Sequence, residues 1–395
     1  MHRRPLSLPC CLALLAAACG QDGPAPTSGA DLAGPDLAEP IDLLPPPDLT
    51  PRTPEVAPLS TGPVLRAVQL VTVTYSGYLY QGDVEAFGDW VVGSDWYKQV
   101  GADYGVGPGT HLAKVKLPDA APNGVFDRDV QSAIRALVAA GTLPAPPQGQ
   151  QSQLLYMMYY PAATAITQRD GSVLCTQFAG YHGSLSFPGG AHATYAVIGD
   201  CQGGGIDGLT VTASHELIEA ATDPWVNTAS PGYFLAADLP DHFAVEGGQE
   251  MGDLCEFLDG LRQDGYQVTR VWSPSAALAL REPCIPWPTT DYETVVVTPA
   301  EAPTLSPGQT FTFVLTGWSS NPHMPSWTLS LNEAPGTEFS LKAMDAKLAS
   351  TGISHGFSVR LTVTVPLDAF APQVGGIEVL SGPNRHVAPV AFQVM

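Results

Sequence analysis

The stretch Asp207-Gly208-Leu209-Thr210-Val211-Thr212-Ala213-Ser214-His215-Glu216-Leu217-Ile218-Glu219-Ala220-Ala221-Thr222-Asp223-Pro224 decides how the chain is read. Leu209, Ala213, Leu217 and Ala221 recur every four residues, the spacing of one helical face. Asp207 is a suitable N-cap. Pro224 sets the end, because the residue before a proline avoids the helical region. Ala213, Ala220 and Ala221 are small and allow close packing, so the spacing predicts a buried helix. His215 and Glu219 are four apart and point the same way, and Glu216 lies about 100° round the helix beside them.

A histidine and a carboxylate one turn apart are metal-ligand types at metal-ligand spacing, with Glu216 beside them. The same pattern also occurs on ordinary solvated helix faces; the small, buried surroundings favour a site. A further ligand must come from beyond the helix. Gly248-Gln249-Glu250-Met251-Gly252-Asp253-Leu254-Cys255 offers Glu250 or Asp253, fixed in place if Cys255 is disulfide-bonded. Asp223 competes for this role, although a turn-forming role before Pro224 suits it better. His182 and His192 read as turn or surface histidines, with His182, between Tyr181 and Gly183, able to approach the site. Gly203-Gly204-Gly205 lacks the Lys and Ser/Thr of a phosphate loop. Ser214 has no Gly-x-Ser-x-Gly around it. Asp253, Asp259 and Asp264 lack EF-hand spacing.

Outward from this helix, residues 64–288 read as one mixed domain. Val68–Tyr75 alternates and is β-branched, as a strand should be. Asp83–Val100 carries apolar residues at helical spacing, interrupted by Gly93. Asp127–Ala140 reads as a helix capped by Asp127, with a stripe of Val130, Ile134, Leu137 and Val138, ended by Gly141. Leu154–Tyr160 and Tyr195–Ile198 read as further strands. After Pro288 the rhythm changes. Residues 293–298, 309–316, 326–331, 357–365 and 376–380 read as short strands between Gly/Pro/Asn turns, so 289–395 should be an all-β sandwich of immunoglobulin-like type.

The remainder is an address and a tether. Arg3 and Arg4 precede a short apolar run, Leu6–Ala18, too short to span a bilayer. Leu15-Ala16-Ala17-Ala18-Cys19-Gly20 resembles a bacterial lipobox, with Ala16 where leucine usually stands; residues 1–19 therefore read as a lipoprotein-type signal peptide and Cys19 as the lipidated residue, the alternative being an ordinary signal peptide cleaved near Ala18 and a secreted protein. Residues 20–63 repeat a Pro-spaced Asp-Leu unit, and prolines this frequent make a disordered, extended spacer. No other stretch is long and apolar enough for a transmembrane helix. The chain has 395 residues, 45% apolar and 14% charged, enough to bury a core. Its formal net charge of −21 repels phosphate backbones and excludes nucleic acid as a partner. Of seven cysteines, Cys175, Cys201, Cys255 and Cys284 lie outside the export segment. In an exported chain they predict two disulfides, and sequence proximity favours Cys175–Cys201 and Cys255–Cys284.

The helix resembles the His-Glu-x-x-His helix of zincins, with Glu219 in place of the second histidine. The runs His215–Pro224 and Gln249–Cys255, with Gly180-Tyr181-His182-Gly183, Tyr195–Ile198, Gly265–Val268 and Val271-Trp272-Ser273, resemble the EXORDIUM/phosphate-induced proteins of plants and related bacterial secreted proteins. The resemblance covers residues 68–285. It implies an α+β zincin-like domain in a secreted or cell-surface protein, zinc held by His215, Glu219 and Glu250 or Asp253, and Glu216 as base. The expected function is an exported, lipid-anchored metallohydrolase, a zinc metallopeptidase with a protein or peptide substrate. The other expectation is a non-catalytic cell-surface or adhesion protein whose metal is structural or lost.

Overall fold

The computed structural model describes residues 62–395, apart from 149–150, 202–203, 227–230, 235–249, 257, 259, 287–290, 335–336 and 384. The export segment and nearly all of the tether expected above lie outside the described residues. The fold is mixed α/β, with many strands in several sheets.

The first half is organised on β1 (Gln69–Thr74), α1 (Gln81–Val91), α2 (Asp95–Gly101), β2 (Thr110–Lys116), α3 (Asp127–Ala139), β3 (Gln151–Tyr160), β4 (Gly180–Ser186), β5 (His192–Gly199) and α4 (Gly205–Thr222). The five strands form one sheet in the order β2-β1-β3-β5-β4. All neighbours are parallel except β4, which runs antiparallel to β5 at the edge. β1, β3 and β5 are buried on both faces, which is why they read as continuous apolar runs.

Each face has its own core. On one, Leu70, Leu155, Met157 and Ile198 pack with Phe87, Trp96, Leu209, Leu217 and Ile218 from α1, α2 and α4. On the other, Val71, Val73, Tyr156, Met158 and Val197 pack with Val130 and Ile134 of α3. Each fully buried Leu or Ile contributes about 1.5–3 kcal/mol.

The helical stretch read over residues 83–100 is two helices. Ser94 stops the first and caps the second, its Oγ accepting the Tyr97 N–H at 3.0 Å. Two cap assignments need correction. α3 begins at Asp127 itself; the Phe126 N–H is satisfied by Asp129 Oδ2 at 2.9 Å. Asp127 Oδ1 accepts instead from the hydroxyls of Tyr181 and Tyr195, at 2.8 and 2.6 Å. α4 starts at Gly205, so Asp207 sits in its first turn, paired with Arg262. An acidic side chain is favourable throughout the first turn, so composition alone does not separate the cap from the turn.

Two short elements pack near α4. Leu261–Gln263 and Tyr266–Val268 form a hairpin turning at Asp264 and Gly265, both at positive φ (49° and 93°). Just after it, the Thr269 N–H donates to Ser214 Oγ at 2.8 Å, and that hydroxyl donates to the Val211 carbonyl at 2.8 Å. Ser214 is therefore a buried structural group.

Residues 293–394 form two sheets around a second core that includes Phe313, Leu361, Val379 and Phe392. One sheet has the order Glu293–Thr298, Thr310–Ser319, Ser358–Thr364, Lys347–Leu348. The other has the order Thr304–Leu305, His386–Val394, Gln373–Ser381, Trp327–Glu333, Gly352–Ile353. His386–Val394 was not expected from the sequence, because Pro389 interrupts its pattern. The strand tolerates Pro389 because its neighbour Thr304–Leu305 pairs only with Gln393 and Val394, leaving the proline on an open edge. His386 Nε2 reaches back 2.6 Å to Glu282 Oε2, a buried hydrogen bond between the sandwich and the chain preceding it.

Candidate metal centre

α4 buries Leu209, Ala213, Leu217 and Ala221 in the core and turns His215, Glu216 and Glu219 toward a cleft of about 1130 Å³. Glu219 Oε1 lies 3.0 Å from His215 Nε2, the i,i+4 contact that the helical spacing demands. The segment after the undescribed stretch brings in Asp253, whose Oδ1 is 3.5 Å from His215 Nε2. His215, Glu219 and Asp253 thus form a triad with ligand atoms within 4.8 Å of one another.

A second triad lies beside it. His182, on the edge strand β4, places Nδ1 3.5 Å from Glu216 Oε2 and 3.8 Å from Glu219 Oε2. Its Nε2 is 3.1 Å from the Asp223 carbonyl oxygen and 3.4 Å from Glu250 Oε1. His182, Glu216 and Glu219 are all buried and could hold a metal ion.

Backbone holds these carboxylates closely. The Asp253 N–H donates to Glu219 Oε1 at 3.2 Å, and the Glu250 N–H donates to Asp253 Oδ2 at 3.1 Å. Glycine is required where main chain crosses side chain: a Cβ on Gly252 would sit 2.7 Å from Glu219 Oε1, and one on Gly180 2.8 Å from Glu216 Oε1. Cys255–Cys284 fastens the 3₁₀ turn Asp253–Cys255. Cys175–Cys201 joins the loop before β4 to the segment between β5 and α4. Both disulfides follow the pairing expected from proximity, and they fit a protein that matures in an oxidising compartment outside the cytoplasm.

The cluster is electrostatically crowded. Burial works to lower the His182 pKa, but Glu250, Glu216 and Glu219 outweigh it and raise it to about 10. His215 is likewise raised against burial, by Glu219 and Asp253. Burial lifts Glu219 to about 7, with the His215 charge opposing, and burial also raises Glu250. Asp253 stays below the usual carboxylate range, because its bond to His215 overcomes the burial cost. Protons here occupy places that a cation would take.

The donor set fits a metal. Ligand atoms around a tetrahedral ion at zinc bond lengths stand about 3.3 Å apart, and the contacts above run from 3.0 to 3.8 Å. Glu216 Oε2 and Glu250 Oε1 are buried and make no hydrogen bond.

The structure brings together His215, Glu216, Glu219, Glu250 and Asp253. Asp253 stands at His215, whereas Glu250 stands at His182. Asp223 stands outside both triads: its Oδ1 accepts the Gly232 N–H at 2.7 Å, its carbonyl faces His182, and its Oδ2 is buried without a hydrogen bond. His192 is elsewhere, its Nδ1 3.3 Å from Ser186 Oγ and its ring against Trp225. His182 is the residue that sequence reasoning undervalued. It is read as a turn residue because glycines flank the Tyr181-His182 pair, yet those glycines are strand positions kept small by Glu216 and Tyr195.

Compared with protein-family models and with curated proteins, the chain has no match. Among solved structures it is similar to domains 4 and 5 of the S-layer protein SbsC, at 18% identity and a TM-score of 0.20, covering 26% of this chain and 51% of that one. It is also similar to the S-layer protein rSbsC(31–844), at 12% identity and a TM-score of 0.21, covering 58% of this chain and 37% of that one. This chain spans about half the length of the first and less of the second. Likenesses at such TM-scores carry no conclusion about fold or function.

Proposed function

We propose that the chain is an exported metal-dependent hydrolase, a zincin-like zinc peptidase akin to the EXORDIUM/phosphate-induced proteins. The observation that carries this reading is the His215–Glu219–Asp253 triad with Glu216 beside it, its Oε2 buried and without a hydrogen bond. A divalent cation on that triad would supply polarisation of a carbonyl and a more acidic water. Glu216 is the carboxylate placed to take a proton there. Asp253 and Glu219 orient each other through the Asp253 N–H. β4 adds a way to hold a peptide. It is an edge strand bonded to β5, and among the described residues no strand pairs with its other side. Gly180–Ser184 line the cleft, so an extended peptide can add to that edge and lie across the carboxylates. A lipid at Cys19 and the proline-spaced tether would keep this domain at the cell envelope, with the immunoglobulin-like sandwich as a spacer or binding module.

The ligand set favours one other reading. Several carboxylates around two histidines make a bound metal a weaker Lewis acid, which suits a structural ion in a surface protein. One experiment separates the two. The full chain is purified, its zinc measured, and wild type and Glu216→Gln are assayed on a broad peptide library. Cleavage that falls about 10²–10⁴-fold in the variant supports the peptidase. Zinc without cleavage supports the surface protein, and wild type that takes up no metal overturns both.

A further inference from the structure

Glu219 does not give both oxygens to one histidine. Its Oε1 faces His215 Nε2 at 3.0 Å and its Oε2 faces His182 Nδ1 at 3.8 Å. A carboxylate that divides its oxygens between two ligand groups has the form of a bridge, and bridged sites hold their ions about 3.5–4 Å apart. Each oxygen then has a complete triad around it. One is His215, Glu219 and Asp253; the other is His182, Glu216 and Glu219.

We propose that the cleft binds two divalent cations bridged by Glu219, the second held by His182 Nδ1, Glu216 Oε2 and Glu219 Oε2. The inference rests on the metal-dependent reading above and changes the role of one residue in it. With two ions Glu216 is a ligand, and with one it is a base.

Three further observations support the second position. Glu216 is 4% exposed and its Oε2 makes no hydrogen bond, so a buried carboxylate oxygen points into the site without a donor. His182 is oriented as a ligand would be: Nε2 lies 3.1 Å from the Asp223 carbonyl and Nδ1 faces Glu216 and Glu219, so an ion on Nδ1 would displace its proton and leave Nε2–H donating to that carbonyl. Ligand histidines are commonly fixed by such a backbone bond on the other nitrogen. Charge gives the third. Glu216, Glu219, Glu250 and Asp253 converge on two histidines. Four carboxylates are more than one divalent cation would balance if metal binding ionised them all, and a second cation would balance the remaining two. The mixed nitrogen and oxygen donors suit zinc or manganese.

The test counts ions. The full chain is stripped with a chelator, titrated with Zn²⁺ by calorimetry, and its bound metal measured by mass spectrometry. The same is done for His182→Asn, His182→Ala and Glu216→Gln, with circular dichroism and thermal melting confirming that each is folded. Two zinc ions in wild type and one in each folded variant support the inference. One zinc in wild type, unchanged in the variants, overturns it and leaves the mononuclear hydrolase standing. No zinc in wild type overturns both. Loading with Mn²⁺ provides a readout independent of variant folding. Two ions bridged by a carboxylate give a spin-coupled resonance spectrum, and an isolated six-line spectrum at saturation overturns the bridge.

Discussion

Glu219 Oε1 and His215 Nε2 stand 3.0 Å apart, one helical turn from each other, and Asp253 donates its backbone N–H to the same oxygen. Removing Glu219 therefore removes a ligand and the anchor of the neighbouring ligand together. Glu219→Ala is expected to weaken zinc binding by more than the 10–100-fold typical of losing an outer partner of a ligand. Competition against a chromophoric chelator measures it, and an affinity within threefold of wild type would sink this assignment.

Gly252 offers a steric test that leaves every ligand in place. Its φ of −72° suits any residue, so Gly252→Ala introduces no backbone strain. The added Cβ would sit 2.7 Å from Glu219 Oε1, the movable end of a side chain. The fold should lose only about 1 kcal/mol while the carboxylate is displaced. Zinc affinity should fall about tenfold or more with a nearly unchanged melting temperature. Equal affinities would mean that Glu219 does not bind the ion in its observed position.

Metal uptake should release protons. Both histidines have pKa values raised above 6.5, His182 to about 10, so near neutral pH they are charged in the metal-free protein. A ligand nitrogen must be neutral, so binding strengthens as pH rises from 6.5 toward 10, by up to about tenfold per pH unit for each proton displaced. Calorimetry in buffers of different ionisation enthalpy counts those protons. A count of zero at pH 7.5 contradicts the charged cluster.

A separate pH dependence belongs to the sandwich. Burial raises Glu293 to about 7, with His386 opposing and Glu282 and Asp291 adding to it. The folded state therefore holds this proton more tightly than the unfolded chain does. The stability this contributes is fully present below about pH 4.5 and is lost as pH rises through 7. Glu293→Gln should melt higher than wild type at pH 8 and equally at pH 4.5. A variant that melts lower at pH 8 would show that the ionised carboxylate is needed.

How far the sequence could be read follows from the range of each interaction. α4 was legible because its stripe, its ligand spacing and Pro224 are all local. The contact of His215 with Asp253 spans 38 positions and depends on how the intervening chain returns, so spacing left Glu250 and Asp253 as alternatives. Both reached the cluster, at different histidines. His182 was harder, since a histidine between Tyr181 and Gly183 reads as a turn or surface residue until strand pairing sets it over α4. Pro389 hid the strand His386–Val394 for a related reason: only the pairing register shows that its missing N–H faces an open edge.

The disulfides also tie down the two chain segments that complete the cluster. His182 and Asp253 come from chain segments outside α4, and each segment is tied down by one of the two bridges, Cys175–Cys201 and Cys255–Cys284. Such bonds do not persist in the reducing interior of a cell. Before the bridges close, the segments of His182 and Asp253 each lack one covalent tie, while His215, Glu216 and Glu219 already share α4. Oxidation would then time the assembly of the cluster, and a reduced chain should hold its His and carboxylate groups less firmly than an oxidised one.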